Sequence, residues 1–155
     1  MKADKDPVIA KNPRAGRDFH LLETVEAGLV LEGAEVKSVR AHRVHLADSF
    51  AWVDRGRMVL YNLEISPYPQ AGLAAPEPKR PRQLLLHRAQ IARLGGEVAR
   101  SGRTLIPTKI YFKGPFAKVE LALAQGKTAY DKRDTIRERE TAREMQRAVR
   151  RRLKP

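Results

Sequence analysis

Residues 104–112 and 116–123 flank Lys113-Gly114-Pro115, and in the second run Val119, Leu121 and Leu123 alternate with Lys118, Glu120 and Ala122. Successive side chains of a strand point to opposite faces, so a period of two on either side of a glycine-containing break predicts a half-buried β-hairpin. A second hairpin is predicted upstream, where Phe50, Ala51, Trp52 and Val53 lead into Asp54-Arg55-Gly56 and Met58, Val59, Leu60 and Tyr61 lead back. Apolar residues also recur over 19–31, interrupted by Glu23, Thr24, Glu26 and Gly28. This run predicts a strand that bends or bulges at Gly28, resumes as Leu29-Val30-Leu31 and closes at Gly33. Strands joined by hairpins pair antiparallel. The fold class expected is therefore mainly β, with a few helices.

Three segments break the β pattern. Val36 and Val39 stand three apart within 35–40, which predicts one short helical turn. Over 66–82, Pro67, Pro69, Pro76, Pro78 and Pro81 oppose regular structure and Lys79, Arg80 and Arg82 add charge, so a long basic loop is expected. Leu84, His87, Ile91, Leu94 and Val98 then fall on one face at helical spacing, with Gly95-Gly96 weakening the later turns. Leu85 and Leu86 fall off that stripe. Each is either a second packing contact or an exposed contact surface, and packing is the commoner fate of an apolar side chain.

At 155 residues and 42% hydrophobic content the chain supports one globular core, burying about two thirds of the surface its unfolded form exposes. Thirty-one Lys and Arg against eighteen Asp and Glu leave a charge of +13, which attracts polyanions and makes nucleic acid the first partner to consider. No apolar run approaches the length of a spanning helix and the start lacks a signal peptide's apolar region, so no membrane role and a cytoplasmic location are expected. The absence of cysteine removes disulfides, thiol nucleophiles and Cys-ligated zinc.

Much of the charge sits at the two ends. Residues 1–17 carry Lys2, Lys5, Lys11, Arg14 and Arg17 with little apolar periodicity, which predicts a basic arm that orders on a partner. After Gly126 the β pattern stops. Thr135 and Glu138 have capping-box spacing, and Ala142, Met145, Val149 and Leu153 form a narrow apolar stripe, so the tail is helix-capable. Arg139, Arg143, Arg147 and Arg151 recur every four residues along one ridge. Like charges at that spacing cost an isolated helix about 0.2–0.5 kcal/mol per pair, so the tail is expected to fray alone and to order where RNA phosphates line the ridge. A solvated helix of mixed charge is the plainer alternative, as Glu138, Glu140 and Glu144 permit.

Several motifs carry no chemistry. Gly126-Lys127-Thr128 has the ending of a phosphate-binding loop, but Leu121 occupies the position of its first glycine. His42 and His45 lie among Arg40 and Arg43, which oppose a bound cation, so a histidine pair touching RNA is the better reading and no metal or other cofactor is expected. Paired carboxylates such as Glu32 and Glu35 are as easily explained by solvent-facing pairing or RNA-edge contacts as by acid and base roles. No set of converging groups suggests an enzyme.

An oligonucleotide-binding barrel satisfies this pattern, and so does a ribosomal protein. Specific strings go further: Glu26-Ala27-Gly28-Leu29-Val30-Leu31, Gly33-Ala34-Glu35-Val36-Lys37-Ser38-Val39-Arg40-Ala41, Asp48-Ser49-Phe50-Ala51, Leu84-Leu85-Leu86-His87 and Tyr130-Asp131-Lys132-Arg133. Together they resemble the SmpB family of bacterial tmRNA-binding proteins, in order and spacing over about 8–140. The resemblance implies an antiparallel oligonucleotide-binding-like β-barrel over 18–130, between the arm of 1–17 and a basic tail of 131–155 that is disordered alone and helical on the ribosome. It implies a non-enzymatic role in ribosome rescue. The barrel would bind the tRNA-like domain of tmRNA, and alanyl-tmRNA would enter stalled ribosomes with elongation factor Tu. The tail would test the small-subunit decoding centre and the empty mRNA channel before the nascent peptide is tagged.

By the same resemblance Asn12, Glu26 and Leu85 match barrel residues needed for tmRNA, and Asp131, Lys132 and Arg133 match the tail motif at the decoding site. Arg14, Arg17, Lys37 and Arg40 are phosphate-contact candidates from charge and position. The sequence departs from the family at Pro13 and Gly16, where basic residues are usual, at His42, where glycine is common, and at Gln83, where Lys or Arg is usual.

Overall fold

The computed structural model describes residues 7–100, 102–127 and 129–153. Its strands are β1 (Val8–Lys11), β2 (Phe19–Leu29), β3 (Val44–His45), β4 (Phe50–Asp54), β5 (Arg57–Tyr61), β6 (Glu64–Ile65), β7 (Arg82–Leu85), β8 (Arg103–Lys113) and β9 (Phe116–Gly126). The helices are α1 (Ala15–Asp18), α2 (Gly33–Arg40), α3 (Arg88–Val98) and α4 (Ala129–Leu153), with a short 3-10 segment over Pro69–Ala74. All sheet pairings are antiparallel and run β8-β4-β5-β7-β2-β9, with β9 returning to β8. The ring is thus closed, as a small oligonucleotide-binding-type barrel requires. Its seams differ in strength. β2 and β9 pair along most of their length, whereas β4 meets β8 only at Ala51↔Leu105.

Both predicted hairpins form. Arg55 and Gly56 take φ of 52° and 77°, the two positive values of a type I′ turn, so the β4–β5 loop matches the twist of its strands. In the β8–β9 loop Gly114 takes φ 61° while the ring of Pro115 excludes a positive value, leaving a type II′ turn. Alternation along these strands sends Leu60, Leu105, Ile110, Val119 and Leu121 into the ring, where all are fully buried. Helix α3 closes one end through Leu94, also fully buried. Each such side chain contributes about 1.5–3 kcal/mol by leaving water. Gly95 lets the helix come close, since a Cβ there would lie 3.3 Å from a Val53 methyl.

Elsewhere the structure departs from the sequence expectations. β2 ends at Leu29, and its irregularity falls between Leu21 and Glu23 instead of at Gly28, which stays in the ladder opposite Lys118 and Leu85. Gly33 opens a helix in place of closing a strand, because Glu32 and Glu35 form a reciprocal capping box that extends α2 to eight residues. The helix expected from Leu84 starts later. Arg82–Leu85 is a strand whose side chains alternate buried and exposed, and the capping box of His87 and Gln90 starts α3 only at Arg88. Residues 7–17 of the expected arm belong to the fold, β1 pairing with β8 and α1 following, while 1–6 lie outside the described residues. Helix α4 begins at Ala129, so Thr135 and Glu138 lie inside it; neither glycine nor proline interrupts 127–154 to delay its start.

Glu35 is not the solvent-facing or RNA-edge carboxylate expected. Its side chain is 3% exposed and that of Arg82 0%. Arg82 donates four hydrogen bonds, from Nε to Glu35 at 2.7 Å and from its terminal nitrogens to the carbonyls of Leu63, Arg80 and Pro78 at 2.6–3.1 Å, and one terminal nitrogen also ion-pairs with Glu35 at 2.5 Å. Arg80 also donates to both Glu35 oxygens, and the Glu32 N–H donates to one at 3.0 Å. The cluster therefore ties the proline-rich loop to α2.

Burial on its own would raise the Glu35 pKa, but the hydrogen bonds from Arg80, the Glu32 backbone and Arg82 outweigh it and hold the group below its ordinary 4.5. A depressed native pKa means that the unfolded chain binds the proton more readily. Glu35 thus stabilises the fold fully above pH 4.5, and this contribution is lost as pH falls through the depressed value. Urea midpoints should drop more steeply below pH 4.5 in the native chain than in Glu35→Gln; parallel profiles would contradict this assignment.

Candidate nucleic-acid interface

Two strands bring two of the sequence-selected residues together. Leu85 sits on the outward side of β7 and is 56% exposed, against the commoner packed fate, while Leu86 packs on the core. Gly28 on β2 pairs with Leu85, and a Cβ added to Gly28 would lie 3.2 Å from that of Leu85. Glycine in the middle of a strand loses packing, and here its use is to let the leucine lie flat across β2. Glu26 stands two residues away on the same face. These residues, with His87, Gln90 and Lys118, line a surface groove of about 420 Å³.

The Glu26 carboxylate is held by the Tyr111 hydroxyl, which donates to Oε2, and by Lys113 Nζ, 3.8 Å from Oε1. A carboxylate repels phosphate, so its RNA partners would be donors such as base N–H groups or ribose 2′-hydroxyls. Lys118 supplies the opposite charge and was missed in the sequence as a site residue. Alternation already placed it on the polar face of 116–123, but only the register Gly28↔Lys118 brings it beside Leu85.

The other barrel candidates lie around α1, α2 and β8, and their cations are already engaged. Asn12 is only 8% exposed. Its amide donates to the Pro107 carbonyl at 2.9 Å and accepts from the Arg14 N–H at 3.0 Å, so it anchors the chain before α1 to β8. Arg14 pairs with Asp48 at 2.6 Å and Arg17 with Asp18 at 3.2 Å. Lys37 lies over the Tyr68 ring at 5.5 Å and Arg40 over Phe112 at 4.3 Å. Each ring fixes the direction of the cation above it. His42 adopts φ 60°, the left-handed region that glycine enters most easily, which accounts for the glycine usual at this position. Its Nδ1 lies 3.0 Å from the Ile9 carbonyl. His45 is exposed on β3, and among the described residues no group of acidic or histidine side chains could hold a metal.

The tail residues stand apart from the groove. Asp131 and Lys132 belong to the first turn of α4 and not to a turn before it, and their side chains lie outside the described set. Arg133, Arg139, Arg143, Arg147 and Arg151 are exposed, and among the described residues no ion pair forms within α4. The helix meets the rest of the chain at α1, where a Cβ on Gly16 would lie 3.5 Å from an Arg139 nitrogen. The described helices include none long and apolar enough to cross a membrane.

Comparison with known proteins places the sequence and the fold. An SsrA-binding protein of Carboxydothermus hydrogenoformans is 51% identical over 145 residues, covering 94% of this chain and 97% of that one. One from Geobacillus kaustophilus is 49% identical over 154 residues and 99% of both chains. A solved chain from work described as "tmRNA-SmpB: a journey to the center of the bacterial ribosome" is 46% identical, with a TM-score of 0.68 over 83% of this chain and 94% of its own. The sequence model of the family described as SmpB protein matches residues 9–151, a span that takes in both the Glu26–Leu85 groove and the arginine ridge. On sequence and fold, this chain belongs to the SmpB family.

Proposed function

We propose that the chain binds tmRNA and serves in trans-translation as a non-enzymatic rescue factor. The observation that carries the reading is Leu85, an apolar side chain held out of the core over Gly28, in one groove with the carboxylate of Glu26 and the ammonium of Lys118. An exposed leucine packs on the flat face of a base or ribose, and the two flanking charges give hydrogen bonds of opposite polarity for base edges and phosphate. The groove would hold the tRNA-like domain. Asn12 acts by position, fixing the segment from which Arg14 and Arg17 reach phosphates, while Lys37 and Arg40 extend the same charge. Elongation factor Tu carries the alanylated RNA to the ribosome in this scheme. The tail, from Asp131 to the arginine ridge, enters the decoding centre and the vacant mRNA channel, which places the protein in the cytoplasm.

RNA copurifying with the chain from a lysate, once sequenced, should be enriched in tmRNA far above transfer and ribosomal RNA. Leu85→Ala should lower affinity for the tRNA-like domain about tenfold, the scale of losing one well-packed base contact. Equal recovery of all structured RNAs would instead identify a general RNA-binding or ribosomal protein.

A further inference from the structure

The outward face of β4, β5 and β7 carries a surface that the proposed groove does not use. Cross-strand registers set Phe50 opposite Tyr61, Trp52 opposite Val59 and Val59 opposite Gln83, so these side chains share one face in successive rows. Phe50 and Tyr61 already stack, with ring centroids 5.4 Å apart and planes 23° from parallel. Trp52 is 51% exposed and Phe50 37%, although both are aromatic and stand on strands of a closed barrel. Among the described residues nothing covers their exposed parts. Three exposed arginines, Arg55, Arg57 and Arg88, stand beside this face without a carboxylate partner among the described residues; the one acidic side chain nearby is Asp54, opposite Arg57.

Two depressions lie along this face. One is lined by Arg55, Arg57, Tyr61 and Gln83. A smaller one shares Arg57 and Gln83 with it and Leu85 and Leu86 with the Glu26 groove, so a single trough runs from Glu26 to Tyr61. From Arg57 to Tyr61 the strand rises about 13 Å, room for a short run of nucleotides. Rings with free faces bounded by unpaired guanidinium groups match the two parts of a single strand, its bases and its phosphates. A protein partner suits the surface less well, because three uncompensated cations would have to be desolvated against it.

We propose that this face is a base-stacking platform that takes an unpaired stretch of the RNA whose structured part sits in the Glu26–Leu85 groove. The inference rests on the tmRNA reading above. Bases stack on Tyr61, Phe50 and Trp52, and Arg55 and Arg57 hold the phosphates between them. Arg88, at the start of α3, carries the backbone from one depression to the other.

The test uses the full chain and a transcript of the tRNA-like domain of tmRNA. Trp52 is the only tryptophan, so its fluorescence reports on this face alone. Binding of the transcript should quench that emission. Tyr61→Leu and Arg57→Gln should each weaken binding about five- to tenfold. Both should also expose one unpaired stretch of the transcript to ribose cleavage while the remaining protections persist. Arg57 is exposed, so its variant keeps the question answerable if Tyr61→Leu folds poorly. Unchanged emission together with unaltered binding and footprints in the variants, while Leu85→Ala still loses affinity, overturns the platform and leaves the tmRNA reading standing; this is also what a protein occupant would give. Unaltered binding in all three variants overturns both.

Discussion

Deleting residues 134–155 is expected to leave affinity for the tRNA-like domain within about twofold, the scale on which sites without shared contacts stay independent, and to abolish tagging on stalled ribosomes. Among the described residues α4 packs chiefly on α1 and contributes no lining to the groove, and every described side chain from 136 to 151 is exposed. Ile136, Met145 and Val149 stay exposed, so the helix gains little from the barrel beyond its start. Arg139, Arg143, Arg147 and Arg151 repel one another at about 0.2–0.5 kcal/mol per pair. An RNA-walled channel reverses that sign, since each arginine then faces phosphate. Filter binding measures the first half of the expectation, and peptide tagging on a message lacking a stop codon the second. A large loss of RNA affinity in the truncated chain would show that the tail is part of the tmRNA site.

Glu35→Ala is expected to be the most damaging single substitution in the barrel. It leaves the Arg82 guanidinium fully buried without its carboxylate, a loss of about 3–5 kcal/mol for a broken buried pair. At about 2–4 °C per kcal/mol for a chain of this size, the thermal midpoint should fall by about 10 °C or more. Replacing both partners with apolar residues, Glu35→Leu with Arg82→Met, should recover much of the stability, because no buried charge then stands alone. If Glu35→Ala melted within a degree or two of the native chain, the cluster would have no structural role. The damage would also reach the proposed RNA face, since α2 carries Lys37 and Arg40 and is tied to the proline-rich loop through this carboxylate.

The hairpins were legible because both of their signals are local: a period of two and turn residues suited to positive φ at Arg55-Gly56 and Gly114. The start of α3 was misplaced for an equally local reason. Leu84-Leu85-Leu86 fits either period over three residues, and only the His87–Gln90 capping box and the pairing of β7 with β5 and β2 decide it. Glu35 was misread because its partners Arg80 and Arg82 lie 45 and 47 residues away. Within the site, Glu26 and Leu85 came from family resemblance, and their being neighbours followed from the Gly28 register. Lys118 was visible as a polar strand position but not as a member of the site. Charge alone marked Arg14, Arg17, Lys37 and Arg40, and could not say that an aspartate or an aromatic ring already fixed the direction of each.

The junction between β9 and α4 bears on how accurately the tail can be aimed. The Lys127 N–H donates to the Asp18 carbonyl and its ammonium to the Gly16 carbonyl, both at 2.9 Å, so the strand end that launches the tail is bolted to α1. A straight helix of 25 residues spans about 37 Å. It behaves as a pointer with its pivot at α1, and each degree of play there displaces the far end by about 0.6 Å. If the tail enters the mRNA channel as proposed, the few contacts around residues 16–18 govern whether its tip arrives at a target no wider than a single RNA strand, although none of them would touch that target.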